Sequence, residues 1–177
     1  MSLYRETERL VITALTEAMA AEIQRQSQDE DTRRFLPDEV FDTLAEAQET
    51  VRALMDAYAS PDGPYVYAVV RKSGGLVGYV QLCRLESGWE IGYHIGAEHT
   101  GQGFASEAVR AFLPVMMDRL GLDEIWGVVD ERNAASCRVL EKCGFRLVEQ
   151  GVGLYHGAMR PRRRYLFSGS QPEGRVT

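Results

Sequence analysis

The chain has 177 residues, 45% of them hydrophobic and 26% charged, an ordinary globular composition with enough length for a sizeable core in one domain. A net charge of −6 argues against general nucleic-acid binding, and no apolar run approaches the ~20 residues that span a bilayer. The charged stretch Met1 to Arg9 holds no apolar signal core, so a cytoplasmic location is expected.

The first strand is expected over Arg9 to Leu15, a β-rich run entered by charged residues. Thr16 then reads as the N-cap of a helix reaching about Gln26. Ser27 to Asp42 is polar, contains Pro37, and reads as a loop or a short helix. Leu44, Ala47, Val51, Leu54, Met55 and Tyr58 recur at helical spacing, predicting a helix over Leu44 to Ala59. Thr43 and Glu46 fit a capping box at its start, and Ser60-Pro-Asp-Gly-Pro ends it. Tyr65 to Arg71 and Leu76 to Leu85 read as strands joined by the hairpin turn Lys72-Ser-Gly-Gly. Glu86-Ser-Gly is a second turn into Glu90 to Ile95, so three consecutive strands form an antiparallel meander.

A helix is predicted from Phe104 to Leu120, with Pro114 bending it. Glu124 to Val129 is mostly apolar, as in a buried parallel strand. Ala134 to Cys143 is a further helix, closed by Gly144. Arg146 to Tyr155 and Arg163 to Phe167 are the last strands, joined by a basic loop from Gly157, and Ser168 onward reads as a flexible tail. This order predicts an α/β (α+β) fold, a mixed and mostly antiparallel sheet flanked by helices, in a single domain over residues 1–167.

The chemistry gathers where a strand meets a glycine turn and a helix. Ile91, Tyr93 and Ile95 alternate with Glu90, Gly92 and His94. Gly101 and Gly103 allow close backbone approach, and the helix after them turns its free N–H groups and positive dipole end to the turn. Those features suit a phosphate or pyrophosphate. A dinucleotide fingerprint wants a buried parallel strand running straight into the first glycine, whereas Ala97 to Thr100 intervene here and a hairpin precedes the strand. A Walker A loop lacks its Gly-Lys-Ser/Thr. His94, His99 and His156 are scattered, and no metal site is expected. Cys83, Cys137 and Cys143 are odd in number without a Cys-x-x-Cys pair, which fits reduced thiols.

A second motif follows, Asn133-Ala-Ala-Ser-Cys-Arg-Val-Leu-Glu-Lys-Cys-Gly-Phe. Together with Gly101-Gln-Gly-Phe-Ala-Ser-Glu-Ala it resembles the GNAT superfamily of acetyl-CoA-dependent N-acetyltransferases. Glu8 to Thr16 and Ile91-Gly-Tyr-His-Ile resemble its RimJ/RimL-like branch, which acts on ribosomal proteins. The resemblance spans about Glu8 to Phe167. It implies acetyl-CoA as cosubstrate and a twisted sheet with helices on both faces. It implies that Gly101, Gln102, Gly103, Phe104, Ala105 and Ser106 cradle the pyrophosphate, that the cofactor arm pairs with the strand over Tyr93, His94 and Ile95, and that Asn133 contacts that arm. Thr100 departs from the Gln or Arg of the family pattern. Leu140 stands where many members carry a tyrosine acid, so the acid role is expected at Ser136. Ser136 also reads as a first-turn residue bonding its own backbone, and Asn133 as an N-cap.

Attack on a thioester needs a neutral amine and a proton for the leaving thiolate. Freeing an α-amine costs only ~0.5 kcal/mol at physiological pH, against roughly 4 kcal/mol for a lysine side chain. A modest base therefore suffices. Glu90 is the first candidate, with a solvated or ion-paired strand glutamate as its plainer reading, and His94 is the second. Backbone N–H groups near Tyr93 to Ile95 would polarise the carbonyl. Arg110, Arg132, Arg138 and Lys142 could meet the adenosine phosphates or stand as solvated charges. The expected acceptor is a protein N-terminal α-amine. A polyamine, amino acid or aminoglycoside-like amine is the alternative, and a non-catalytic acyl-CoA-binding regulatory module stays open. Asp29, Glu30, Asp31, Asp38 and Glu39 could line an acidic acceptor pocket or be solvated loop charges. Monomer and homodimer both fit, with no nucleic-acid or membrane partner expected.

Overall fold

A computed structural model describes residues 3–169. Eight strands form one sheet in the order β1-β2-β3-β4-β5-β6-β8-β7. The first five are β1 (Tyr4–Glu6), β2 (Leu10–Ala14), β3 (Tyr65–Arg71), β4 (Leu76–Leu85) and β5 (Gly88–Ile95), an antiparallel meander. Among the described strands only β5 and β6 (Glu124–Asp130) run parallel, and β8 (Ala158–Ser168) lies between β6 and β7 (Arg146–Tyr155). The expected mixed, mostly antiparallel sheet is therefore present.

The helices cover the two faces unequally. Helices α1 (Ala20–Gln26) and α3 (Leu44–Asp56) pack on one face, where Ala47 and Val51 meet Val66, Ala68 and Tyr79. The other face carries α4 (Phe104–Leu120) and α5 (Ala134–Lys142), with Phe112, Leu113 and Met116 buried against Tyr67, Leu82 and Ile125. The alternation of β3 divides these cores, since Val66 and Ala68 point one way and Tyr65 and Tyr67 the other. A short helix, α2 (Glu30–Phe35), stands beyond α1. Among the described residues no helix is long and apolar enough to cross a membrane.

Several local expectations hold in detail. Thr43 and Glu46 form both halves of the capping box, and α4 spans Phe104 to Leu120 with Pro114 inside it. Others need correction. Thr16 makes no side-chain cap; a 3-10 turn over Glu17–Met19 follows it, and α1 begins at Ala20. In Ser27 to Asp42 the short helix, one of the two expected alternatives, is present: Asp29 accepts from the Thr32 N–H and starts α2. The helix from Leu44 ends at Asp56 and continues as a 3-10 turn to Ala59.

The largest correction is β8, which begins at Ala158 and takes in the segment expected as a loop. His156 (φ 46°) and Gly157 (φ 72°) make a two-residue turn with Tyr155 opposite Ala158, the positive-φ geometry that suits a twisted hairpin. Pro161 is tolerated because its carbonyl, and so its nitrogen, faces the β6 side, past Asp130 where that strand's ladder ends. The expected tail starts inside this strand, at Ser168; residues 170–177 lie outside the described ones.

Candidate active site

The parallel pair β5–β6 has one registered position, Glu90 opposite Trp126. From Ile91 to Ile95 the strand pairs with β4 alone, so the two parallel strands splay apart. The resulting cleft has a volume of about 1140 Å³ and opens to both faces of the sheet. On the α4–α5 side it reaches Tyr93, Ser106 and Ser136; on the α2 side it reaches Glu90, His94 and Thr32.

At the mouth of the splay, Gly101 (φ 75°) and Gly103 (φ 81°) hold left-handed conformations that a side chain would strain. Gly103 is the N-cap of α4 and supplies no side-chain cap, so the first turn of a 17-residue helix keeps its N–H groups for an anion. Arg9 fixes this turn from the neighbouring strand end. Its Nη1 donates to the Gln102 carbonyl at 2.9 Å, its Nε donates to Glu107 at 2.7 Å, and its guanidinium lies 4.5 Å from the centre of the Phe104 ring. Burial raises the Glu107 carboxyl, but donors from Thr7 and Arg9 outweigh it and hold the group below its ordinary range. Arg9 was absent from the sequence-derived site, because its partners stand 93 and 98 residues away.

Glu90 sits where the parallel ladder ends. Burial raises its carboxyl to about 7, although Arg164 and Arg162 pull it back toward the ionised form. His94 shares its face of β5, stacks on Tyr79 with centroids 5.3 Å apart, and is 94% buried by its 6% exposure. The Thr32 hydroxyl donates to Asp29 at 2.5 Å, so its oxygen is left to accept from His94 Nε2 at 2.8 Å. That leaves the lone pair on His94 Nδ1, which is buried without a partner among the described residues. Burial lowers the His94 pKa, while Glu39 and Asp29 act the other way.

Tyr93 points to the opposite face. Its phenol donates to the Ser136 carbonyl at 3.0 Å and lies 2.9 Å from Ser136 Oγ. Burial pushes this phenol well above its ordinary pKa, so it stays protonated. Asn133 caps α5 by accepting from the Ser136 N–H at 3.0 Å, which leaves its side-chain NH₂ free to donate into the cleft. Leu140 is fully buried against Gly127, whose added Cβ would come within 2.9 Å of it.

Of the residues singled out in the sequence, Glu90, Tyr93, His94, Ile95, Asn133 and Ser136 all line this one cleft, as do Gly101, Gly103, Phe104, Ala105 and Ser106. Gln102 does not; its carbonyl is taken by Arg9 and its side chain turns to the Glu98 carbonyl. Arg138 and Lys142 reach the cleft, whereas Arg132 is paired to Asp130 at 2.6 Å. Asp29, Asp31 and Glu39 line it, and Asp38 pairs with His156 at 2.9 Å. The sequence reading missed the Tyr93 phenol as a partner of Ser136. The alternation of β5 already placed it on the helix side, but the meeting with α5 is tertiary. Among the described residues no group of three or more His, Cys, Asp and Glu is arranged to hold a metal ion.

A splayed parallel pair thus leaves an open strand edge beside a helix N-terminus with no side-chain cap. The chain belongs to the acetyltransferase (GNAT) domain family, whose profile matches residues 9–146, and it is an acetyl-CoA-dependent acetyltransferase. It is 28% identical over 171 residues to the uncharacterized N-acetyltransferase YoaA of Bacillus subtilis strain 168, covering 94% of this chain and 90% of that one. A GNAT-family acetyltransferase from Bacillus anthracis shares the fold with a TM-score of 0.81 at 22% identity, over 94% of this chain and 98% of that one. RimL, a ribosomal L7/L12 alpha-N-protein acetyltransferase solved with coenzyme A, shares it with a TM-score of 0.79 at 15% identity, over the same shares of 94% and 98%.

Proposed function

We propose that the chain moves an acetyl group from acetyl-CoA directly to a protein N-terminal α-amine, in a ternary complex and in the manner of the RimJ/RimL-like branch. One observation carries the reading. At the splay, Glu90 occupies the α2 face with its carboxyl near 7, while the Ser136 hydroxyl waits on the other face. An α-amine titrates close enough to that value for such a carboxylate to serve as its base.

Acetyl-CoA supplies the electrophilic thioester carbonyl. The cradle of Gly101 to Ser106 fits its pyrophosphate, the free edge of β5 from Tyr93 to Ile95 fits its arm, and the Asn133 NH₂ fits an arm carbonyl. Backbone N–H groups on that edge polarise the thioester carbonyl. Glu90 accepts the amine proton, directly or through one water, as nitrogen bonds to the carbonyl carbon. Ser136 Oγ donates to the departing sulfur, and Tyr93 orients it. With the Tyr93 proton on the Ser136 carbonyl, the Ser136 hydroxyl rests toward the phenol oxygen and swings to the sulfur as charge develops there. Glu90 is favoured over His94 as base because His94 Nε2 is engaged and Nδ1 is buried.

The small-amine reading draws on Asp29, Asp31 and Glu39 in the cleft wall, since acidic walls attract cations. Thiol release from acetyl-CoA, followed with N-terminal peptides beside spermidine, free amino acids and an aminoglycoside, separates the two. Turnover of peptides at least as good as that of any small amine is expected; turnover of small amines alone refutes the α-amine reading. Calorimetry with acetyl-CoA and NAD checks the donor side, where binding of NAD alone would refute it.

A further inference from the structure

The cleft wall beyond Glu90 carries two arginines that the acetyl-transfer chemistry does not use. Sheet register brings them there. Val128 of β6 pairs with Arg164 and Asp130 with Arg162, so both arginines stand on the face of Glu90, two strands away. Both line the cleft, and their side chains are only 24% and 21% exposed.

These two guanidiniums face Glu90 across the cleft but have little direct counter-charge. They share one carboxylate, Glu149, at 3.8 Å from Arg162 and 2.8 Å from Arg164, and it is half exposed. Arg162 otherwise donates only to the Leu154 carbonyl, at 3.0 Å, and its Nε has no partner among the described residues. Arg164 rests on the Trp126 ring at 4.4 Å. The strand beneath leaves room for them. Gly151 and Gly153 bare the same face of β7, and a Cβ at Gly153 would sit 2.1 Å from Arg162 Nε.

Two carboxylates of the acidic wall opposite already hold hydrogen-bond donors. Asp29 accepts from the Thr32 N–H and hydroxyl, and Glu39 accepts from Tyr79 and Gln81. With Asp31 and Glu90 also in the lining the cleft carries both signs, and its positive part on this face lies at Arg162 and Arg164. An anion held there would stand two strand spacings, about 10 Å, from the β5 backbone, and side-chain reach from both strands shortens the gap to roughly two residues of extended peptide.

Resting on the α-amine reading above, we propose that Arg162 and Arg164 form a specificity subsite that selects acceptor chains bearing an acidic side chain at the second or third residue. Planar guanidiniums match carboxylates in a bidentate way that lysine does not, and the pair lies in the cleft wall itself.

The test is a panel of N-terminal peptides that differ only by Asp for Asn, Glu for Gln, or Lys at positions two and three. Acetylation by the unaltered protein is followed by thiol release. Acidic peptides are expected to exceed their amide counterparts in kcat/KM by about tenfold or more, and lysine peptides to fall below both. Arg162→Gln and Arg164→Gln are expected to bring the acid-to-amide ratio toward one, and Arg162→Glu to invert it in favour of lysine. The ratio at one pH cancels any change these variants impose on Glu90. Acetyl-CoA calorimetry shows which variants are folded. Equal rates for acidic and amide peptides overturn the arginine assignment and leave the α-amine reading standing. Turnover of spermidine with none of any peptide overturns both.

Discussion

Replacing Glu90 with glutamine tests the proposed base by two readouts of opposite sign. The carboxyl has an ordinary value of 4.5 and stands at about 7 in the fold, with burial as the main cause. A raised carboxyl means that the folded chain binds this proton more tightly than the unfolded chain does. Its favourable contribution is complete below pH 4.5 and is lost as pH rises through about 7. At 1.36 kcal/mol per pH unit that difference is roughly 3 kcal/mol, and about 2 kcal/mol after allowance for partial solvent screening. Glu90→Gln removes the penalty of a desolvated charge, so the variant should be more stable by about 2 kcal/mol at pH 8 and nearly unchanged at pH 4. Its catalysis should suffer in the same pH range. Loss of a positioned base lowers kcat by about 100-fold. The wild-type profile of kcat/KM should rise with a limb near pH 7 that belongs to the protein, and that limb should vanish in the variant, leaving only the limb of the acceptor amine. Thermal unfolding at pH 4 and pH 8, with rates from pH 5.5 to 9, reads all of this. A variant with wild-type rates and the same limb near 7 would remove Glu90 from the mechanism. A variant that loses rate but gains no stability at pH 8 would show that the carboxyl is not raised.

Three further outcomes follow from the same geometry. Ser136→Ala should lower kcat by roughly 10- to 100-fold while the Kd for acetyl-CoA, read by calorimetry, stays within about twofold, because the hydroxyl is needed only as the sulfur departs. Gly103→Ala places a side chain at φ 81°, a conformation that costs about 1–2 kcal/mol, and should weaken acetyl-CoA binding several-fold in the same measurement. Thr43→Ala removes one half of a complete capping box and should lower stability by about 1 kcal/mol in urea titration, with rates per folded molecule unchanged.

Local pattern carried most of the fold. The alternation of β5, the periodicity of α3 and the Thr43–Glu46 pair are properties of neighbours in the chain, and each appears at its expected place. The failures are of another kind. The strand β8 was half hidden because His156-Gly157 is not one of the common hairpin dipeptides, and because arginines and a proline read as loop when the partner strands are unknown. Helix α2 was ambiguous since six residues give little periodicity, and what starts it is a single side-chain bond from Asp29. Register, not propensity, decides such segments.

The same distinction runs through the site. Gly101 and Gly103 are legible because a positive φ is a local demand, whereas Arg9 is not, since nothing in Glu8-Arg9-Leu10 announces a partner at Gln102. The Tyr93–Ser136 contact lies between these cases. Alternation sends Glu90 and His94 to one face of β5 and Tyr93 to the other, so a single strand separates the group that would take a proton from the group that would give one. That separation has a chemical use. Were the two on the same face, the base carboxylate and the hydroxyl donor would hydrogen-bond to each other and spend both groups. On the proposed mechanism they meet only through the reacting pair, the acceptor amine on the Glu90 face and the departing CoA thiol on the Ser136 face.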